Sequence, residues 1–109
     1  MKITATLFSV LADPTRLKII ELLRDYGPLP VGSIAENLSL RQPQTSKHLK
    51  ILFDNDLLEL TSEGNKRIYQ LNPTPFTDLK NWCGRYESLM AQKFDKLDTY
   101  LSQITKEDN

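Results

Sequence analysis

Two runs of apolar residues at helical spacing, separated by only a few residues, place the strongest constraint on this chain. Val31, Ile34, Ala35 and Leu38 recur at i, i+3, i+4 and i+7, the spacing of one buried helix face. Ser39 and Leu40 break the pattern. Thr45, Leu49, Leu52 and Phe53 then mark the inward face of a second helix over Gln42–Phe53. What that helix leaves outside is polar: Gln44, Ser46, Lys47, His48 and Lys50. Short polar side chains of this kind reach base edges in a major groove, and cations beside them meet phosphates. Residues 31–53 are therefore a helix-turn-helix candidate.

Size and composition narrow the setting. A chain of 109 residues makes one domain, 1–109, large enough to bury a core yet small enough to gain from a partner. No apolar run approaches the roughly 18 residues that would span a membrane. The first residues lack the apolar core of a signal peptide, so a cytoplasmic protein is expected. The lone cysteine, Cys83, excludes an internal disulfide framework. Zero net charge, 14 basic against 14 acidic residues, argues mildly against nucleic acid. The segment Arg41–Phe53 offsets that argument, since it holds Arg41, Lys47 and Lys50 and no acid. With one histidine (His48), one cysteine and no Gly-rich phosphate loop, neither an enzyme nor a bound cofactor is expected.

The flanks complete the pattern. Lys2–Leu11 reads as a short amphipathic helix with Ile3, Leu7, Val10 and Leu11 on one side. Asp13-Pro14 is a strong helix start: the carboxylate accepts from free first-turn N–H groups, and proline loses nothing there. That helix runs to about Tyr26, with Leu17, Ile20 and Leu23 inward and Ile19 and Leu22 flanking; Pro30 opens the next one. Leu57–Thr61 and Lys66–Leu71 are short strand candidates around a Gly-containing loop, a hairpin or wing over about 57–71. A long helix follows over about 76–104. Its apolar positions Phe76, Leu79, Cys83, Tyr86, Met90, Phe94, Leu97, Leu101 and Ile104 step by three and four, with one four-four step at Met90. This is a coiled-coil seam with a stutter, and it reads as a dimerisation helix. The expected fold is mainly α with a small β-hairpin, in the order α-α-α-α-β-β-α.

The segments Leu11–Leu23, Ser46–Leu52 and Arg67–Leu71, with the helix-turn-helix between and the long helix after, resemble the arsenic-repressor-like (ArsR/SmtB) family. The resemblance implies a homodimeric winged helix-turn-helix repressor that binds double-stranded DNA. The likeness is strong over about Phe8–Leu71 and looser to about Leu101, where Trp82, Tyr86 and Leu97 look like a metal-independent branch. The family's metal sensors carry Cys-x-Cys where this chain has Pro30 and Gly32. A soft-metal site needs several converging thiolates or imidazoles, so no metal site is expected. Arg41 stands where the family often has a capping serine, exchanging a cap oxygen for a phosphate contact.

The expected DNA-binding residues are Arg41, Gln42, Gln44, Thr45, Ser46, Lys47, His48 and Lys50, with Asn65, Lys66 and Arg67 at the wing tip. Gln42 and Gln44 suit bidentate bonding to adenine; Lys47 suits a phosphate. Thr45 also sits where a core residue would serve. Arg16 is expected to pair internally, and Cys83 to be an inert seam residue. The expected dimer interface is Ile3, Leu7, Leu79, Cys83, Tyr86, Met90, Phe94, Leu97 and Leu101. The regulating signal stays open: a small-molecule or protein effector, redox state, or abundance. The alternative function is a protein–protein interaction module that uses the long helix, with DNA binding secondary.

Overall fold

The computed structural model describes residues 3–107. Helix α1 (Ala5–Leu11) is followed by α2 (Pro14–Tyr26), strand β1 (Leu29–Pro30), α3 (Val31–Asn37), α4 (Gln42–Asp54), β2 (Leu58–Glu63), β3 (Lys66–Leu71) and α5 (Pro73–Glu107). The expected helices and hairpin are present. The start of α1 differs: Lys2 lies outside the described residues, and the helix begins at Ala5 because the Thr4 hydroxyl accepts from Leu7 N–H. Helix α5 starts three residues before Phe76, because Pro73 and Pro75 fall in its first turn, where no N–H would be bonded. Asn72 fixes that start, accepting from Thr74 N–H at 3.2 Å while its amide donates to the Asp56 carbonyl at 2.8 Å.

The sheet has a strand beyond the expected hairpin. Its order is β1-β3-β2, all antiparallel, with Leu29 opposite Tyr69 and Pro30 opposite Ile68. Pro30 therefore belongs to an edge strand as well as capping α3. At the other end, Glu63 faces Lys66 across the two-residue loop Gly64-Asn65. Gly64 has φ 60° and Asn65 is not left-handed, the pattern of a type II′ turn whose twist matches its strands.

Leu7 and Val10 of α1, Ile19, Ile20, Leu22 and Leu23 of α2, Ile34 of α3, and Leu49 and Leu52 of α4 close over Leu57, Leu58 and Tyr69 to form one core. Two inward assignments fail. Leu17 is 43% exposed and Phe53 42% exposed, because each lies at the margin of its helix's apolar arc, where neighbouring elements cover it only in part. Leu7 is 2% exposed and belongs to the core of its own chain, which removes it from the expected dimer interface; Ile3 packs partly against the same core.

Both helices of the central motif end alike. After α3, Leu40 N–H donates to the Ala35 carbonyl and Ser39 N–H to that of Glu36, with Ser39 at φ 54°. After α4, Leu57 N–H donates to the Leu52 carbonyl and Asp56 N–H to that of Phe53, with Asp56 at φ 63°. These are Schellman caps whose left-handed position, usually glycine, holds Ser and Asp. Ser39→Gly relieves roughly 1–2 kcal/mol of left-handed strain and loses roughly 0.4–1 kcal/mol of chain entropy. A net stabilisation of about 1 kcal/mol is expected, read as a raised urea midpoint at unchanged slope.

Helix α5 runs about 52 Å at 1.5 Å per residue and gives the molecule its 72 × 29 × 22 Å dimensions. Its first half packs on α1: the Phe8 and Trp82 rings lie 5.3 Å apart and Trp82 and Tyr86 4.9 Å. From Arg85 to Ile104 every residue is exposed, Phe94 at 61% and Leu97 at 49%. Cys83 is half-buried on that helix.

Candidate nucleic-acid interface

Helix α4 opens at Arg41, which offers no side-chain cap, and carries Pro43 in its first turn. Gln42, Gln44, Ser46 and Lys47 are exposed around its outer half. Thr45 is not among them. It is fully buried, and its hydroxyl donates to the Arg41 carbonyl at 2.9 Å. That back-bond satisfies the hydroxyl and explains how a polar residue sits in the core. Lys50 points along the helix and holds Asp54 at 3.1 Å.

His48 is turned away from the outer face. It is half-buried against the start of α2, with Nδ1 4.0 Å from Asp13 Oδ1. Asp13 caps α2 by accepting from Arg16 N–H at 3.0 Å, and Arg16 Nε donates to the Val10 carbonyl at 2.8 Å, so Arg16 pairs internally as expected. The Arg16 backbone N–H holds the Asp13 carboxyl below its ordinary value of 3.8; desolvation opposes this, and the charges of Arg16 and His48 assist it. The folded value is depressed, so this contribution to stability is complete above the unfolded value and is lost as pH falls through the folded one. Asp13→Asn keeps a capping oxygen and removes the titration. Urea unfolding between about pH 2 and 5 is therefore expected to show a shallower loss of stability in Asp13→Asn than in the parent.

Beside the outer half of α4 lies the wing. A cleft of about 590 Å³ separates the two. Gln42 and Ser46 line one wall and Asn65, Lys66 and Arg67 the other, with Pro30, Val31, Gly32, Ser33 and Glu36 of β1 and α3 at its floor. The structure thus brings Gln42, Ser46 and the three wing-tip residues together, and sets Gln44 and Lys47 on the adjoining outward face. Arg41 is exposed at the start of the same helix. Ser33 and Glu36 are the additions. Nothing in their local pattern marks them, since only the packing of α3 beneath the wing brings them to the cleft. Among the described residues no three His, Cys, Asp or Glu side chains are grouped to hold a metal ion, and no helix is long and apolar enough to cross a membrane.

Residues 13–60 match the family described as "Bacterial regulatory protein, arsR family". An arsenical resistance operon repressor of Staphylococcus xylosus is 43% identical over 68 residues, 62% of this chain and 64%, just under two thirds, of that protein. An HTH-type transcriptional regulator of Mycobacterium tuberculosis is 39% identical over 79 residues, 72% of this chain and 73% of its own length. The chain belongs to the arsR family. Among solved structures, the homodimeric winged helix-turn-helix DNA-binding domain of a possible ArsR-family regulator from Mycobacterium bovis aligns with a TM-score of 0.63 at 25% identity, covering 77% of each chain. The arsR family is one of transcriptional regulators, not enzymes, and the fold here is its winged helix-turn-helix. In this arsR-family chain α4 and the β2–β3 hairpin flank the cleft.

Proposed function

We propose that this chain is a cytoplasmic, homodimeric repressor, a single winged-helix domain that binds an inverted-repeat operator. The observation that carries the reading is the run of exposed Gln42, Gln44, Ser46 and Lys47 on a helix bounded by a cleft with Lys66 and Arg67 on its far side. A helix with that outer face fits a major groove, and a cleft rimmed with cations fits the adjoining phosphate strand. Two recognition helices about 34 Å apart would read successive major grooves, and an operator overlapping a promoter would exclude polymerase. Arg41, Asn65, Lys66 and Arg67 serve the backbone. Thr45 and His48 drop out, because one is buried and the other faces α2. The exposed stripe of Tyr86, Met90, Phe94, Leu97 and Leu101 supplies the dimer contact, supported by the homodimeric M. bovis neighbour. Metal sensing through the family's cysteine pair is absent from the proposal, since Pro30 and Gly32 have no ligating atoms in their side chains.

The test is selection from a random duplex pool with purified protein in chelator-treated buffer. Enrichment of a two-fold-symmetric site supports a dimeric reader that needs no metal. No enrichment from a folded dimer overturns the reading in favour of a protein-interaction module built on α5, the one the exposed stripe favours.

A further inference from the structure

A second cavity lies behind the cleft, between α4 and the wing sheet. It has a volume of about 380 Å³, within the range of small-ligand sites. Val31, Leu60 and Tyr69 form an apolar floor, and Phe53 stands as its wall. Phe53 accounts for the cavity: it is 42% exposed at a margin of the helix where burial was expected, and it leaves an open aromatic face beside the sheet. The polar rim is asymmetric. Lys50 is already neutralised by Asp54 at 3.1 Å. Arg67, which lines the cavity together with Ser46, has no carboxylate partner among the described residues. An apolar trough with one uncompensated guanidinium is complementary to a molecule with a hydrophobic body and one negative group.

We propose that this groove binds a small amphipathic anion, an aromatic or branched aliphatic carboxylate or its like, with its charge on Arg67 and its body against Phe53, Leu60 and Tyr69. Arg67, Ser46 and Val31 line both this groove and the cleft facing DNA. A carboxylate on Arg67 neutralises the charge that a DNA phosphate would use, so the ligand and the operator compete for one cation. The regulatory half of this inference rests on the DNA reading above; the binding half does not.

The experiment titrates the isotope-labelled full chain with anilinonaphthalene sulfonate, an aromatic anion, and follows amide and Arg side-chain resonances. Saturable shifts at Val31, Phe53, Leu60, Tyr69 and the Arg67 Nε–H are expected. Phe53→Ala, at an exposed position, is expected to weaken binding about tenfold, with the fold and DNA binding retained. Shifts confined to the exposed face of α5, or none that saturate, overturn the site. With a selected operator, saturating probe is expected to lower DNA affinity about tenfold, within the usual range for coupled sites. Groove binding with unchanged DNA affinity overturns the competition alone. A protein that binds no DNA but shows the groove shifts overturns the DNA reading and leaves the site standing.

Discussion

Replacing both Gln44 and Lys47 with alanine is expected to abolish sequence-specific DNA binding while the protein stays folded and dimeric. Both side chains are exposed, and neither makes a hydrogen bond or ion pair within the described chain, so the fold has nothing to lose beyond a few tenths of a kcal/mol. A glutamine bonding adenine bidentately is worth about 1–3 kcal/mol of discrimination. A two-fold complex counts it twice, so the loss is roughly 2–6 kcal/mol, or about thirtyfold to twenty-thousandfold in affinity. Lys47 acts differently. Its removal weakens every sequence and lowers the slope of log affinity against log salt by about 0.9 per protomer. Fluorescence anisotropy on the selected site and on a scrambled duplex, at several salt concentrations, separates the two effects. Unchanged specific affinity in the double variant would mean that α4 does not read the bases.

The second large effect concerns the long helix. Phe94→Glu with Leu97→Glu is expected to convert the dimer to a monomer, measured by sedimentation equilibrium. The two side chains are 61% and 49% exposed in the protomer, so the core is untouched. Four carboxylates would then face one another where apolar surface met. Freed of its partner, the distal part of α5 has only local hydrogen bonds to hold it, and an isolated stretch of that length frays in water. Far-UV circular dichroism is expected to show that loss. Operator affinity should fall about a hundredfold or more, because the second half-site loses the effective concentration that the first provided. A persisting dimer would place the contact on the Phe8–Trp82–Tyr86 face and free the distal stripe for another protein.

The central motif was legible because its helices alternate polar and apolar positions over about two turns or more, and because Asp13-Pro14 and Gly64 carry local geometry in their own chemistry. Strand β1 was not: two residues are too few to show a period, and Pro30 reads as a helix start when its partners Ile68 and Tyr69 are distant in sequence. Phe53 and Leu17 were misplaced for a related reason. Each sits at the edge of an apolar arc, where the neighbouring element decides burial. The site followed the same division. The outward glutamines and Lys47 came from helical spacing, whereas the turn of His48 toward Asp13 and the approach of Ser33 and Glu36 to the wing depend on packing between elements.

The three-stranded sheet leaves two open edges, and each is unsuited to joining another chain. On one side β1 is two residues long and ends in Pro30, which has no N–H to donate. On the other, β2 carries Glu59, Ser62 and Glu63, so a second copy laid alongside would bring like charges together. Association by strand addition is thus closed off at both margins, and a protein that pairs must do so through its helices. The wing is left as a blunt blade, free to meet a polyanion without the hazard of stacking on its own kind.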